Sequence, residues 1–186
     1  LILTLLAFAS IYALIQTRSV TTPLAVYEAF IAGILIWGWL ELAFLLGIIT
    51  GPRRLGCPNG VSSRQRFWFA VQALAYHELT ILFMLIVIAL ICWGAPNQTG
   101  LWTFSILFGM RLSAKLNIFL GVPHINEEFL PARLEFLKSY FARRPMNWLF
   151  PVSVSVSMLV GAYVFHAAFE QGVTPHQVCA YMLVGT

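Results

Sequence analysis

Aspartate does not occur in this chain; its seven acidic residues are all glutamate. Charge of either sign is scarce, at 10% of residues, where soluble domains carry about 25%. That shortage excludes an ordinary water-soluble domain and a charged disordered tail. It also leaves no basic face for nucleic acid, so the net charge of +4 needs another origin. Cysteine is sparse too. Cys57, Cys92 and Cys179 stand far apart, with no C-x-x-C and no histidine at ligand spacing. Neither a disulfide framework nor a zinc site is indicated. The first apolar run lacks the basic flank of a cleavable signal peptide.

What the chain does contain is hydrocarbon. Hydrophobic residues make up 60% of the 186, including 15 Phe and 6 Trp. Runs this long and without alternation read as helices, because lipid leaves no partner for an open sheet edge. The expected fold is an all-α, polytopic transmembrane bundle forming a single integral membrane domain over 1–186. A span needs about 20 apolar residues. Six spans are expected, at 1–16, 24–49, 67–93, 101–121, 148–169 and 178–186, the first and last truncated. The chain opens on Leu1 inside one apolar run and stops inside another, so it is expected to be the middle of a longer protein.

Punctuation supports these breaks. Thr21-Thr22-Pro23 offers an N-cap followed by proline. Gly51-Pro52 and Cys57-Pro58-Asn59-Gly60 mark a loop. Ser62 and Gln65 form a capping box. The short turn from Gly94 to Gly100 predicts an antiparallel hairpin. Within it, Asn97-Gln98-Thr99 matches a glycosylation sequon but reads better as polar turn residues.

Basic residues set the expected orientation. Loop 50–66 carries Arg53, Arg54, Arg64 and Arg66. Loop 122–147 carries Arg133, Lys138, Arg143 and Arg144. The other side has only Arg18. Both basic loops are therefore expected in the cytoplasm, and topology accounts for the positive charge. In the second loop, Pro131 suits a helix start. Leu134, Leu137 and Phe141 then recur at helical spacing, which predicts a short amphipathic helix on the headgroup layer or against a partner. Asn126, Glu127 and Glu128, with Arg143 and Arg144, would form a polar cytoplasmic corner on the same partner surface.

Ionisable groups inside a span are costly and mark functional candidates. Glu41, His77, Glu78, Arg111 and Lys115 all lie ~9–17 Å inside the expected spans at 1.5 Å per residue. Arg111 and Lys115 share a face at i, i+4. Two glutamates balance two cations, so an ion-pair cluster joining three helices is expected, with Asn117 adding hydrogen bonds. A brace for helix packing is the plainest reading. Ion transport lacks the expected repeats and broken helices. A metal site built from Glu41, His77 and Glu78 with His124, Glu127 and Glu128 lacks the Glu-x-x-His spacing of di-iron bundles. Ala73-x-x-x-His77 and Ala162-x-x-x-His166 resemble the arrangement by which antenna polypeptides bind bacteriochlorophyll. Both histidines are thus possible pigment ligands beside the plainer packing role.

The strings Glu41-Leu-Ala-Phe-Leu-Leu-Gly47, Thr50-Gly-Pro-Arg53, Tyr76-His-Glu-Leu79 and Trp93-Gly-Ala-Pro-Asn-Gln98 resemble the photosynthetic complex assembly protein 2 family (PuhE type). So do Met110-Arg-Leu-Ser-Ala-Lys-Leu-Asn117, Asn126-Glu-Glu-Phe-Leu-Pro131, Arg144-Pro-Met-Asn147 and Phe150-Pro-Val-Ser153. Leu40 departs from the pattern, where the family would carry a histidine before Glu41. The resemblance implies a multi-helix inner-membrane protein of purple phototrophic bacteria, encoded with the reaction-centre H subunit. It implies an assembly factor or accessory subunit whose partners are reaction-centre and core-antenna subunits, especially the H subunit, and membrane lipid. No cofactor is certain from it; bacteriochlorophyll is possible. The alternative is a metal-dependent or pigment-handling membrane enzyme of bacteriochlorophyll metabolism.

Overall fold

The computed structural model describes residues 2–123, 130–141 and 144–170. It is helical throughout these residues, with no strand among them. In chain order the helices are α1 (Ile2–Thr17), α2 (Pro23–Leu45), α3 (Ser63–Cys92), α4 (Thr99–Leu120), a 3₁₀ helix (Ala132–Tyr140) and α5 (Leu149–Glu170). The expected count of six spans is too high. Among the described residues three helices, α2, α3 and α4, are long and apolar enough to cross a membrane. α1, Ile2–Thr17, is a shorter apolar helix of 16 residues. α5 has 22 residues, Leu149–Glu170, and its stretch Leu149–Tyr163 is apolar. The sixth run, 178–186, lies outside the described residues.

Caps place the helix ends. Thr22 accepts from the Ala25 amide ahead of Pro23, so α2 starts where the proline signal put it. The Ser62–Gln65 capping box starts α3, with both reciprocal bonds present. α2 stops at Leu45, before hydropathy falls, because Gly47 turns the chain at φ 71°. The Gly47 amide donates to Phe44 O at 2.8 Å and the Ile48 amide to Ala43 O at 3.0 Å. This is the Schellman arrangement that closes the last carbonyls of a helix. Arg133 completes the cap by donating to Leu46 O at 3.0 Å.

α2 packs between α1 and α4, while α4 also touches α3. Small residues let α2 and α4 approach: Gly100 O lies 3.2 Å from where a Cβ on Gly33 would sit. Such close crossings suit helices in lipid, where van der Waals contact drives association. Two apolar clusters result. One joins Leu14, Ile36, Leu40, Ile81, Ile88 and Phe104; the other joins Phe44, Ala70, Ala73, Leu74, Leu134 and Tyr140.

The segment after Pro131 differs from expectation. It is 3₁₀ and folds onto α3. Leu134 and Leu137 are buried in the second cluster. They therefore offer nothing to a headgroup layer or a partner. A 3₁₀ helix has 3.0 residues per turn, so residues three apart eclipse. The buried stripe is accordingly Leu134, Leu137 and Tyr140, and Phe141 is left half-buried at the edge. Tyr140 Oη accepts from Arg53 Nε at 2.8 Å and donates to Leu55 O at 2.6 Å. Ser139 Oγ accepts from the Cys57 amide at 2.7 Å. The two basic loops thus hold one another.

Candidate functional site

A polar layer separates the two apolar clusters. On α2, Glu41 follows Leu40 of one cluster and precedes Phe44 of the other. On α3, His77 falls between Leu74 and Ile81 in the same way. α4 supplies the cations to this layer. Arg111 donates from Nε to Glu41 Oε1 at 3.1 Å and from Nη2 to Oε2 at 2.9 Å. This two-point grip uses the planar guanidinium fork. One turn later Lys115 Nζ donates to Glu78 Oε1. The same Nζ stands 5.9 Å from the Phe44 ring centre, within reach of a cation–π contact. The structure brings all five expected ionisable groups together, with α4 holding one acid of α2 and one of α3.

His77 is fully buried and stacks on Phe44, with ring centres 4.4 Å apart. Its Nε2 lies 3.7 Å from Glu41 Oε1, beyond hydrogen-bond length. Among the described residues neither ring nitrogen has a hydrogen-bond partner, and the nearby Thr50 hydroxyl lacks one as well. The histidine is covered by a strap that sequence reading missed. After the α2 cap the chain folds back, and Thr50 O accepts from the His77 amide at 2.9 Å. Gly51 then lies on the carbonyl of Ala73; a Cβ there would sit 2.6 Å from Ala73 O. The one available signal was Thr50-Gly51-Pro52 itself, read only as loop punctuation. Ala73, which could have made room for a flat macrocycle beside His77, is instead under Gly51. Pigment ligation by His77 therefore has no open ring face in this structure.

The layer is not sealed. Arg111 is 35% exposed at its side chain, Glu78 31% and Glu41 18%. Charge thus reaches the outer surface of the bundle within helices that can span a membrane.

The remaining expected residues fall elsewhere. Asn117 faces α5, donating to Ser113 O at 3.0 Å and Ser153 Oγ at 3.2 Å. His166 is exposed on α5. Arg144 donates to Ser63 Oγ at 3.4 Å. His124, Asn126, Glu127, Glu128 and Arg143 lie outside the described residues. Glu41, His77 and Glu78 do not converge on one point, since Glu78 turns to Lys115 while His77 faces Glu41. Asn147 was also missed. Its Nδ2 donates to Asn117 O and Gly121 O, at 3.2 and 2.7 Å, and its Oδ1 accepts from the Phe150 amide at 3.2 Å. One side chain thus closes α4 and opens α5, and asparagine before a helix was the visible cue.

Residues 1–186 match a family described as "Protein of unknown function (DUF3623)". A Rhodobacter capsulatus protein, described as an uncharacterized 30.4 kDa protein in the puhA 5′ region, is 46% identical over 146 residues. That match covers 78% of this chain and 53% of the relative, so the chain spans about half the relative's length. No solved structure matches the chain. With the family match running along all 186 residues, the chain belongs to the DUF3623 family.

Proposed function

We propose that this protein is a membrane assembly factor or accessory subunit for the bacterial photosynthetic reaction centre and its core antenna. It would act by intramembrane contact, as a single helical domain in the bacterial inner membrane. The relative's description puts it beside puhA, which supports a role in photosynthesis. The observation that carries the contact reading is the half-open charge layer. Arg111 and Glu78 each keep about a third of the side chain exposed. Charged side chains at the centre of a bilayer cost about 2.5–3.5 kcal/mol or more each. A polar partner helix laid against α3 and α4 relieves that cost. The partner of this reading is a reaction-centre or core-antenna subunit, with the H subunit foremost. The basic loops 50–66 and 122–147 face the cytoplasm in it.

The test is a pull-down in mild detergent from phototrophically grown cells. Reaction-centre or antenna subunits should come down with the wild-type chain. A variant carrying Glu78→Gln should accumulate and capture less. Recovery of no photosynthetic subunit by the wild type sinks the reading. Orientation is checked separately: a cysteine at exposed Asn59 should stay unlabelled by an impermeant reagent in intact cells, and one at exposed Pro96 should be labelled once the reagent enters the periplasm.

A further inference from the structure

A second site lies on the other face of α4. A cavity of 610 Å³ opens between α4 and α5, lined by Met110, Ser113 and Asn117 on one side and Ser153, Ser157 and Met158 on the other. This is within the range of small-molecule sites, about 300–1,000 Å³. Its lining carries no charged side chain. A phosphate headgroup would find no cation there. Its polarity is confined to one amide and a few hydroxyls.

Asn117 decides what fits. The residue is 6% exposed, and its Oδ1 is buried without a hydrogen-bond partner among the described residues. An unpaired buried acceptor carries a desolvation penalty that a bound donor relieves. Nδ2 is held by Ser113 O at 3.0 Å and Ser153 Oγ at 3.2 Å, which leaves Oδ1 as the unused end of the amide. Other hydroxyls in these helices return a bond to their own backbone, as Thr103 and Ser105 do. Ser113 and Ser157 make no such bond among the described residues. Asn117 lies four residues from Gly121, ~6 Å along the helix, and Met110 a further ~10 Å. Asn117 and Ser153 therefore lie at the shallow end, Ser113 and Ser157 about one turn deeper, and Met110 and Met158 beyond them. Methionines at Met110, Met146 and Met158 give the wall a pliable surface.

We infer that the α4–α5 cavity binds a neutral, single-chain membrane alcohol, its hydroxyl donating to Asn117 Oδ1 and its hydrocarbon tail lying between Met110 and Met158. The site is separate from the charge layer and does not depend on the assembly reading.

The experiment uses the full chain in phosphatidylcholine nanodiscs with a diazirine-bearing hexadecanol as probe. After irradiation, labelled peptides are mapped by mass spectrometry. Label should concentrate on 110–122 and 149–158, about tenfold above lipid-facing α1. Unlabelled hexadecanol should displace it and hexadecane should not. Ala114→Phe and Ser157→Phe each fill the cavity from an exposed position, and each should cut the labelling about tenfold. If one variant fails to accumulate, the other carries the test. Even labelling of α1 and α5 overturns the site. Equal competition by hexadecane shows an unspecific apolar groove and overturns the hydroxyl assignment. Equal competition by phosphatidylglycerol assigns the cavity to bulk phospholipid, and no label at all means that protein covers it; both overturn the inference.

Discussion

Arg111 holds Glu41 through two parallel bonds, 3.1 and 2.9 Å long, that tie α4 to α2 across the polar layer. The fork geometry makes the residue types specific. Arg111→Lys keeps the charge and loses the second bond. Glu41→Ala leaves Arg111 without its partner. Breaking a buried pair from one side costs about 3–5 kcal/mol, though hydrogen-bond couplings in membranes average about 0.6 kcal/mol. Glu41→Ala should therefore lower the melting temperature in detergent more than Arg111→Lys does. The double variant Glu41→Leu with Arg111→Met should recover part of the loss. A double variant less stable than either single one would show that the pair is not a brace.

The 3₁₀ helix gives a second prediction. Leu137→Ser puts a hydroxyl into the cluster with Phe44 and Leu74. Phe141→Ser alters only a half-buried edge residue. Leu137→Ser should cost about 2–5 kcal/mol, the range of large-to-small core changes. Phe141→Ser should cost about 1 kcal/mol or less. Tyr140→Phe should fall between, since it strands Leu55 O and one Arg53 donor. Chemical denaturation in mild detergent ranks the three. A Phe141 effect as large as that of Leu137 would restore the α-helical face.

These outcomes show where sequence suffices. Helix existence followed from hydropathy, and two helix starts followed from Pro23 and the Ser62–Gln65 box, because those signals are local. The balance of Glu41 and Glu78 against Arg111 and Lys115 predicted a cluster. It could not assign partners, because either acid could meet either cation until helix rotation was known. Hydropathy overstated the span count, because it marks apolar runs and not the helix lengths that a bilayer needs. Leu134 and Leu137 fit both 3.0 and 3.6 residues per turn, and only the next residue, Tyr140 or Phe141, separates the two. The strap over His77 was invisible because it depends on a backbone contact between Thr50 and α3.

Gly51 tests that strap. A Cβ at this position would collide with the backbone of Gln72 and Ala73, which cannot move aside as a side chain can. Overpacking costs typically about 1–3 kcal/mol, and more where backbone must shift. Gly51→Ala should thus destabilise the fold and raise hydrogen exchange at the His77 amide, whose acceptor is Thr50 O. Gly38→Ala is the control, because nothing lies within 4 Å of its added carbon, and it should be neutral or slightly stabilising within a helix. Unchanged exchange at His77 in Gly51→Ala would mean that the strap does not cover the histidine.

Asn97 carries the last prediction. Its side chain is buried. Nδ2 donates to Thr17 O, Val20 O and Ala25 O, at 3.1, 3.1 and 3.3 Å. Oδ1 accepts from the Thr99 amide at 3.2 Å and from its hydroxyl at 2.7 Å. One amide thus joins the α1–α2 turn to the start of α4. The sequon reading fails on this geometry, because a glycan needs an exposed Nδ2. Asn97→Ala should strand buried carbonyls, each unmade bond costing about 1–3 kcal/mol. Asn97→Asp is the sharper test. It keeps the shape and the acceptor for Thr99 but replaces the donor with an acceptor facing three carbonyls. If donation to those carbonyls is the main term, Asn97→Asp should melt at least as low as Asn97→Ala near neutral pH and regain stability as the carboxyl is protonated. Thermal melts of both variants across pH 3 to 8, a window that reaches below the ordinary aspartate pKa of about 3.9, decide it. An aspartate variant as stable as wild type at pH 8 would show that acceptance from Thr99, and not donation across the turn, is what Asn97 supplies.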